Sequence, residues 1–220
     1  MYPRVMGEFE TVRRLLEGQS IARFGDGELK ILGGAGYKRE AVNGALTGEM
    51  REIVRAPAAQ CLLAIPTYDP AGPKHANWLR HHARFCRYFR DDGREYGSAF
   101  ISRPDSAADP IESREYFELL SQLWVGRGLV AVLSEPQSKL LACAKAMADE
   151  VAHIECPRHG AYAHIADFEH AIATMKPSVA LLSCGPTATC LANRLAGRGI
   201  QALDLGSIGG MLMRLLKEKA

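Results

Sequence analysis

A single stretch decides the fold expected for this chain: Ser20-Ile21-Ala22-Arg23-Phe24-Gly25-Asp26-Gly27-Glu28-Leu29. Its first half predicts a short strand, and the glycines that follow predict a turn that opens onto a helix. Asp26 and Glu28 are one residue apart, so on extended backbone their side chains point the same way. A loop or strand end at this position therefore presents two carboxylates to one point.

Two carboxylates so close together suit a divalent cation. Without one they repel, and one of them tends to keep its proton at neutral pH. Mg²⁺ or Mn²⁺ removes this conflict because both prefer oxygen ligands. Gly25 and Gly27 let the backbone turn and let a ligand approach closely, and Arg23 is a candidate to face a phosphate. The pattern favours a cation that bridges protein carboxylates and a diphosphate, and the alternative is an ordinary Asp-Gly turn followed by a helix cap.

Outward from this stretch, strand and helix patterns alternate along the chain. This alternation predicts an α/β fold: a single Rossmann-like domain over residues 1–220, with a mostly parallel sheet of about seven strands and helices on both faces. The Gly-x-Gly-x-x-Gly fingerprint of dinucleotide binding is absent, so Rossmann-like refers to architecture only. After the strand that ends at Phe24, the predicted strands are Cys61–Ile65, Tyr96–Ser102, Leu129–Leu133, Val151–Cys156, Val179–Ser183 and Ile200–Leu205.

A second place where chemistry is expected is Gly185-Pro186-Thr187-Ala188-Thr189, which turns the sixth strand into a helix. A helix N-terminus offers unpaired backbone N–H groups and a partial positive charge. The hydroxyls of Thr187 and Thr189 would add donors for a phosphate or sugar oxygen. The alternative is that Thr187 only caps its own helix.

Arg103 follows the third predicted strand directly. Ligands of open α/β sheets gather outside the carboxyl ends of the strands, so Arg103 is a candidate to hold a phosphate through two hydrogen bonds. The alternative is a surface salt bridge. Asp204 ends the last predicted strand, at the same edge of the sheet.

Bulk composition excludes several classes of protein. The net charge of +2 gives no argument for nucleic acid or for an acidic membrane surface. The longest uncharged run, between Lys176 and Arg194, is shorter than the ~20 apolar residues that a membrane span requires. The six cysteines form no Cys-x-x-Cys pair and predict buried thiols rather than a zinc site. The N-terminal residues lack the apolar core of a secretory signal, and we expect a cytoplasmic location.

Several segments, in the same order along the chain, resemble the GT-D glycosyltransferases, formerly a domain of unknown function. The run from Arg23 to Glu28 resembles the Asp-x-Glu (DXE) signature of that family. The other matching segments are Ala99-Phe100-Ile101-Ser102-Arg103, Cys156-Pro157 with Ala161-Tyr162, Leu182-Ser183-Cys184-Gly185-Pro186-Thr187-Ala188-Thr189, and Asp204-Leu205-Gly206.

The resemblance implies a metal-dependent, hexosyltransferase-like enzyme. Such an enzyme takes a sugar from a nucleotide-sugar donor, with a UDP-sugar as the first expectation, and passes it to a glycan or glycoconjugate acceptor. Asp26 and Glu28 would be the catalytic residues and would hold Mn²⁺ or Mg²⁺. The substrate-binding residues implied are Arg23, Gly25, Gly27, Arg103, Gly185, Thr187, Thr189 and Asp204.

One segment departs from the family pattern, because Ser207-Ile208-Gly209-Gly210-Met211 stands where the family has His and acidic residues. The acceptor hydroxyl needs either a general base or a retaining mechanism, and the sequence does not identify which. Asp69, Glu135 and Asp204 are candidates for the base with little to separate them. Two other functions stay open: a non-catalytic module that binds a nucleotide or sugar phosphate, and a metal-dependent phosphoesterase. Against the phosphoesterase, the chain lacks a histidine-rich ligand set for two metals.

Overall fold

The fold is built on one parallel sheet. The computed structural model describes residues 2–38, 40–68, 75–107, 111, 113–206 and 208–218. The strands are β1 (Ser20–Arg23), β2 (Cys61–Ile65), β3 (Gly97–Ser98), β4 (Leu129–Ser134), β5 (Glu150–Glu155), β6 (Val179–Ser183) and β7 (Ala202–Asp204). Their order across the sheet is β3-β2-β1-β7-β6-β4-β5, and every neighbouring pair is parallel. The predicted α/β fold with about seven mostly parallel strands is confirmed.

Helices cover both faces of this sheet. They are α1 (Glu8–Leu16), α2 (Asp26–Leu32), α3 (Gly44–Arg55), α4 (His75–Tyr88), α5 (Arg114–Ser121), α6 (Lys139–Met147), α7 (Ile165–Met175), α8 (Pro186–Gly197) and α9 (Gly209–Glu218). Side chains of α2, α3, α4, α7 and α8 form the core on one face. Those of α1, α5, α6 and α9 form the core on the other face.

Strand β2 illustrates why the strands read as continuous apolar runs. All five of its residues are buried. Leu63 and Ile65 belong to the core on one face, while Leu62 and Ala64 belong to the core on the other. Successive side chains alternate between faces, so a strand covered on both sides needs apolar residues at every position.

The third strand is shorter than predicted. The sequence pattern indicated a strand over Tyr96–Ser102, but β3 is only Gly97–Ser98 and a 3₁₀ turn follows over Ala99–Ser102. The hydroxyl of Ser98 accepts a hydrogen bond from the backbone N–H of Phe100 at 3.0 Å. This local bond takes the place of a bond to a neighbouring strand and starts the turn. Arg103 therefore lies one turn beyond the strand rather than directly after it.

The buried thiols predicted from the sequence are confirmed for five of the six cysteines, whereas Cys86 is half-buried. Cys61, Cys143, Cys156, Cys184 and Cys190 are buried, and no disulfide joins any of the described residues. Within the same described ranges, no helix has the combination of length and apolar character that crossing a bilayer requires.

The order of the strands opens a crevice beside β1. Strand β1 lies between β2 and β7. The chain leaves β1 for α2 on one face of the sheet, whereas it leaves β7 for α9 on the other face. Where the segments after two adjacent parallel strands diverge in this way, a cleft forms at their carboxyl ends, which is where open α/β sheets bind ligands.

Candidate active site at the ends of β1 and β7

The two acidic residues of the opening stretch lie in a helix, not in a loop. Helix α2 begins at Asp26, with Gly25 as its N-cap. Residues i and i+2 of a helix point in different directions, so the expectation of an extended turn with both carboxylates on one side is wrong. The helix begins here because Glu28 accepts a hydrogen bond from the backbone N–H of Gly25 at 2.9 Å, as in a capping box.

Both carboxylates nevertheless line one cavity of about 350 Å³. The cavity lies at the carboxyl ends of β1 and β7, and it includes most of the residues singled out from the sequence. Its lining residues are Arg23, Gly25, Asp26, Gly27, Glu28, Tyr37, Pro66, Ala99, Phe100, Arg103, Ser106, Gly185, Asp204 and Gly206. These residues are far apart in the sequence, and the order of the strands in the sheet brings them together.

Asp26 lies at the outer part of this cavity. Its carboxylate contacts the ammonium of Lys30 one turn along α2, at 3.1 Å, and the two side chains are 43% and 41% exposed. An exposed pair at this spacing stabilises a helix by only ~0.5 kcal/mol. Lys30 therefore leaves the exposed side of the Asp26 carboxylate accessible to an incoming ligand, whereas its Oδ1 atom is buried.

Arg23 has a different role from the one predicted. Its guanidinium donates to the backbone carbonyl and to the carboxylate of Asp204, the latter at 2.8 Å, and also to the carbonyl of Ala99 and the hydroxyl of Ser102. The side chains of Arg23 and Asp204 are only 16% and 6% exposed. The expectation that Arg23 is mainly a phosphate ligand is corrected, since most of its donors hold the ends of three segments together.

Gly206 leaves room for this buried guanidinium. A Cβ atom at position 206 would lie 2.5 Å from Nη2 of Arg23, and the residue has a φ of +51°. Both observations require glycine, because a side chain would collide with Arg23 and this φ is strained for other residues. The Asp204-Leu205-Gly206 segment is therefore adapted to hold Arg23.

The hydroxyls of the helix α8 start do not reach the cavity. Thr187 and Thr189 are fully buried. Thr187 donates to the carboxylate of Glu40 at 3.0 Å, and Thr189 donates to the carbonyl of Arg23 at 3.0 Å. The expectation that these hydroxyls bind a ligand is corrected, because burial commits them to protein partners. Gly185 does line the cavity, with a φ of +63° at the N-cap of α8.

Arg103 combines the two alternatives considered from the sequence. It lines the cavity. It also forms a salt bridge to Asp105 at 3.2 Å and donates to the hydroxyl of Ser106 at 3.0 Å, with its side chain 53% exposed. A pair this exposed contributes little free energy, so the guanidinium can exchange its partner for an anionic ligand.

Two residues of this region were missed from the sequence. Tyr37 lines the cavity, and a Cβ at Gly27 would lie 2.5 Å from its ring, so Gly27 allows the ring to pack on α2. Buried Glu40 accepts hydrogen bonds from Thr187 and from the backbone N–H of Tyr162. An aromatic residue next to a glycine-rich loop is a signal that could have identified Tyr37, but nothing local distinguishes Glu40 from a surface acid.

The three candidates for a general base do not lie together in the structure. Asp204 is paired with Arg23, and Glu135 lines a different, neighbouring cavity. Asp69 lies outside the described residues.

The cavity raises the proton affinity of one carboxylate. Burial and the nearby Asp204 carboxylate raise the pKa of Glu28, whereas the N–H of Gly25 and the charge of Arg23 act in the opposite direction. Like charges in a partly desolvated site favour the protonated acid, and a cation placed among them would reverse this effect. Glu28 therefore holds its proton more tightly in the folded protein than in the unfolded chain.

This raised pKa predicts a pH-dependent effect of Glu28→Gln. The folded state holds this proton more tightly than the unfolded chain does, so in the wild type the group costs stability as pH rises from the ordinary value of about 4.3 to its raised pKa. Glutamine keeps the capping bond and cannot ionise. We therefore expect the free energy of unfolding of Glu28→Gln, relative to wild type, to increase with pH across this window.

Urea unfolding at several pH values measures this difference. The matched control is Glu52→Gln, because Glu52 is an exposed helical glutamate outside the cavity. A difference for Glu28→Gln that stays constant with pH, as expected for the control, would contradict the electrostatic assignment.

Comparisons with known proteins identify the family of this chain. Residues 21–210 match the family described as Glycosyltransferase GT-D fold. The chain is similar to Glycosyltransferase GlyD of Streptococcus pneumoniae serotype 4, with 29% identity over 220 residues covering 93% of this chain and 27% of that protein. It is also similar to a protein of Streptococcus gordonii named Probable glycosyl transferase Gly, with 29% identity covering 88% of this chain and 30% of that one.

A solved structure extends the comparison to the whole fold. The protein described as a new glycosyltransferase (DUF1792) from Streptococcus sanguinis superimposes with a TM-score of 0.83 at 26% identity, covering 99% of this chain and 86% of the other. The chain spans less than a third of the length of the two curated relatives. Because the family match includes both the Asp-Gly-Glu stretch and the Asp204 segment, this chain belongs to the GT-D glycosyltransferase-fold family.

Proposed function

We propose that this chain is a glycosyltransferase domain that uses a nucleotide-sugar donor and a divalent cation. The observation that carries the proposal is the cavity at the ends of β1 and β7, where Asp26, Glu28 and Arg103 meet the glycine start of α8. Its volume of about 350 Å³ lies within the range of small-molecule sites, ~300–1,000 Å³.

The donor atoms of this cavity fit a hard cation. Asp26 and Glu28 supply carboxylate oxygens, the ligand type that Mg²⁺ and Mn²⁺ prefer. No three His, Cys, Asp or Glu side chains among the described residues are arranged to hold a metal by themselves. Mg²⁺ at enzyme sites is usually held by one or two carboxylates together with substrate phosphates. In this proposal Asp26 and Glu28 would hold the cation, which would supply positive charge to the donor diphosphate.

The other lining residues suit the rest of such a donor. The guanidinium of Arg103 pairs with a phosphate oxygen by exchanging its exposed bond to Asp105. The N-terminus of α8 at Gly185 directs a partial positive charge to the same side. The ring of Tyr37 lines the cavity with the ammonium groups of Lys30 and Lys38 each 4.9 Å from its centroid, so a base or sugar that stacks on it replaces one of these exposed contacts.

Transfer then requires one bond exchange at the anomeric carbon. The acceptor hydroxyl oxygen bonds to this carbon, the bond to the diphosphate breaks and leaves its electron pair on the diphosphate oxygen, and the hydroxyl proton passes to water. A bound Mn²⁺ or Mg²⁺ would neutralise the negative charge that develops on the leaving diphosphate. Arg103 and the α8 start stabilise the same charge from fixed positions. A UDP-sugar, a glycan or glycoconjugate acceptor and a cytoplasmic location are the finer expectations of this proposal.

Incubation with a panel of UDP-, GDP-, dTDP- and ADP-sugars tests the proposal. We expect release of nucleoside diphosphate from at least one donor, increasing when a glycan acceptor is added and falling at least tenfold when EDTA replaces Mn²⁺. Donor binding without release would instead support a non-catalytic module. Hydrolysis of simple phosphate esters would support a phosphoesterase.

A further inference from the structure

A second cavity adjoins the first at the same edge of the sheet. It has a volume of about 590 Å³ and lies at the carboxyl ends of β4, β6 and β7. We call it the side groove and define it by six of its lining residues: Glu135, Lys139, Arg158, Ser183, Gly206 and Gly210. Its surface is mainly polar and includes no aromatic ring.

The side groove and the donor cavity share a wall. Gly206 lines both cavities. The hydroxyl of Ser183 at the end of β6 donates to the carbonyl of Gly206 at 2.8 Å, which fixes this wall. Neighbouring strands are about 4.8 Å apart, so a molecule held over β6 lies next to one held over β7. The geometry suits two substrates that must exchange a group.

Two cationic side chains of the side groove have no ion-pair partner among the described residues, although the carboxylate of Glu135 lines the same groove. Lys139 and Arg158 are exposed, and neither side chain forms an ion pair or hydrogen bond with another described residue. Lys139 is also the first residue of α6, whose N-terminus is capped by Ser138 and adds a partial positive charge. Glu135 contributes a carboxylate to the same groove.

A cavity at the opposite edge of the sheet is rich in arginines, but two of them differ from the cations of the side groove in what they bind. That cavity is also large, about 510 Å³. However, its Arg51 donates to the carbonyl of Leu32 at 2.7 Å, and its Arg94 donates to the carbonyl of Val54 at 2.7 Å. Two of the five arginines of this cavity thus satisfy the last carbonyls of α2 and α3, which is a structural role. Neither Lys139 nor Arg158 donates to a carbonyl of another described residue in this way.

We propose that the side groove binds the acceptor and selects one with an anionic group, a phosphate or a carboxylate, beside the sugar that receives the transfer. Lys139 and Arg158 bind the anion, and the carboxylate of Glu135 accepts hydrogen bonds from sugar hydroxyls. The assignment rests on the proposed function, because it takes the adjoining cavity to be the donor site.

Gly210 provides a way to fill the groove without disturbing the fold. A Cβ at this position would have its nearest neighbour, Cδ of Lys139, at 3.9 Å, so a larger side chain projects toward the groove. At Gly209 the same change is excluded, because a Cβ would lie 2.2 Å from the backbone nitrogen of Leu140. Replacing glycine early in α9 also favours the helical state.

Binding measurements test the groove without a known acceptor. With the donor cavity saturated by Mg²⁺ and whichever of UDP, GDP, dTDP and ADP binds most tightly, glucose 1-phosphate, glucuronic acid and methyl glucoside are titrated and followed by NMR. We expect the two anionic sugars to bind the wild type at least about tenfold more tightly than methyl glucoside, as charged hydrogen bonds require. The Lys139→Ala/Arg158→Ala double variant should lose this preference, and Gly210→Trp should block all three sugars.

The matched control is Lys145→Ala, which removes an exposed lysine from the far end of the same helix and should bind the sugars as the wild type does. Comparison of the phosphate and the carboxylate shows which anion the groove prefers. Equal binding of charged and neutral sugars, or full binding by the double variant or by Gly210→Trp, overturns the assignment. Affinity for UDP, GDP, dTDP and ADP is measured first for every variant. A wild type that binds none of the four contradicts the proposed donor site, whereas binding of one of them without binding of an anionic sugar contradicts only the groove.

Discussion

Asp26→Asn is expected to lower metal-dependent turnover at least about 100-fold, since even partners behind a metal ligand change metal affinity or activity ~10–100-fold. Asparagine keeps the size of the side chain and one acceptor oxygen but removes the charge that attracts the cation. The fold should be little affected, because the contact with Lys30 is exposed. Release of nucleoside diphosphate, measured over a range of Mn²⁺ concentrations, should show both a lower maximum and a weaker dependence on Mn²⁺.

Asp167→Asn is the matched control for this prediction. Asp167 is also an acid in the first turn of a helix, α7, and its side chain is 84% exposed and remote from the cavity. Both substitutions remove the same favourable interaction with a helix N-terminus. Turnover should therefore stay near the wild-type value in Asp167→Asn. Equal turnover in Asp26→Asn and wild type would remove Asp26 from the mechanism.

Arg23→Ala is expected to destabilise the fold by about 3–5 kcal/mol, the usual cost of leaving one partner of a buried ion pair without its counter-charge. The variant leaves the Asp204 carboxylate, which is only 6% exposed, without its positively charged partner. It also leaves the hydroxyl of Ser102 and the carbonyl of Ala99 without this donor. Urea unfolding, followed by the fluorescence of the buried Trp124, measures the loss.

A double-mutant cycle with Asp204→Asn separates the ion pair from the other bonds of Arg23. If the ion pair is the main contribution of Arg23 to stability, the double variant loses less free energy of unfolding than the two single variants lose in sum. Arg103→Ala serves as the control, because its exposed pair with Asp105 is worth at most ~1 kcal/mol. A loss below about 1 kcal/mol in Arg23→Ala would contradict the structural role assigned to Arg23.

Much of the architecture could be predicted from local patterns. The buried strands β2, β4 and β6 read as short apolar runs, and Pro186 after Gly185 indicated the start of α8. Prediction failed at β3, where the side chain of Ser98 replaces a ladder bond and turns the chain. Periodicity reports which face is buried, but it does not report a single side-chain bond to the backbone.

The candidate site was predicted less completely than the sheet. The positions of Asp26, Glu28, Arg103 and Gly185 at one cavity agree with the sequence-based expectation, while their part in catalysis stays a prediction. Thr187 was assigned to a ligand because its place at a helix start is all that the sequence reveals. Its actual partner, Glu40, lies 147 positions away.

The sequence by itself determined the parallel α/β fold and the presence of an acidic stretch after the first strand, because strand and helix periods are local properties of neighbouring residues. Only the tertiary structure decided which charges are committed to the fold and which remain available to a ligand. Strand β1 pairs with β7, and this brings Arg23 to Asp204 across 181 positions of the chain. Since an arginine binds whichever carboxylate the sheet order puts beside it, no local pattern could have distinguished buried Arg23 from exposed Arg103.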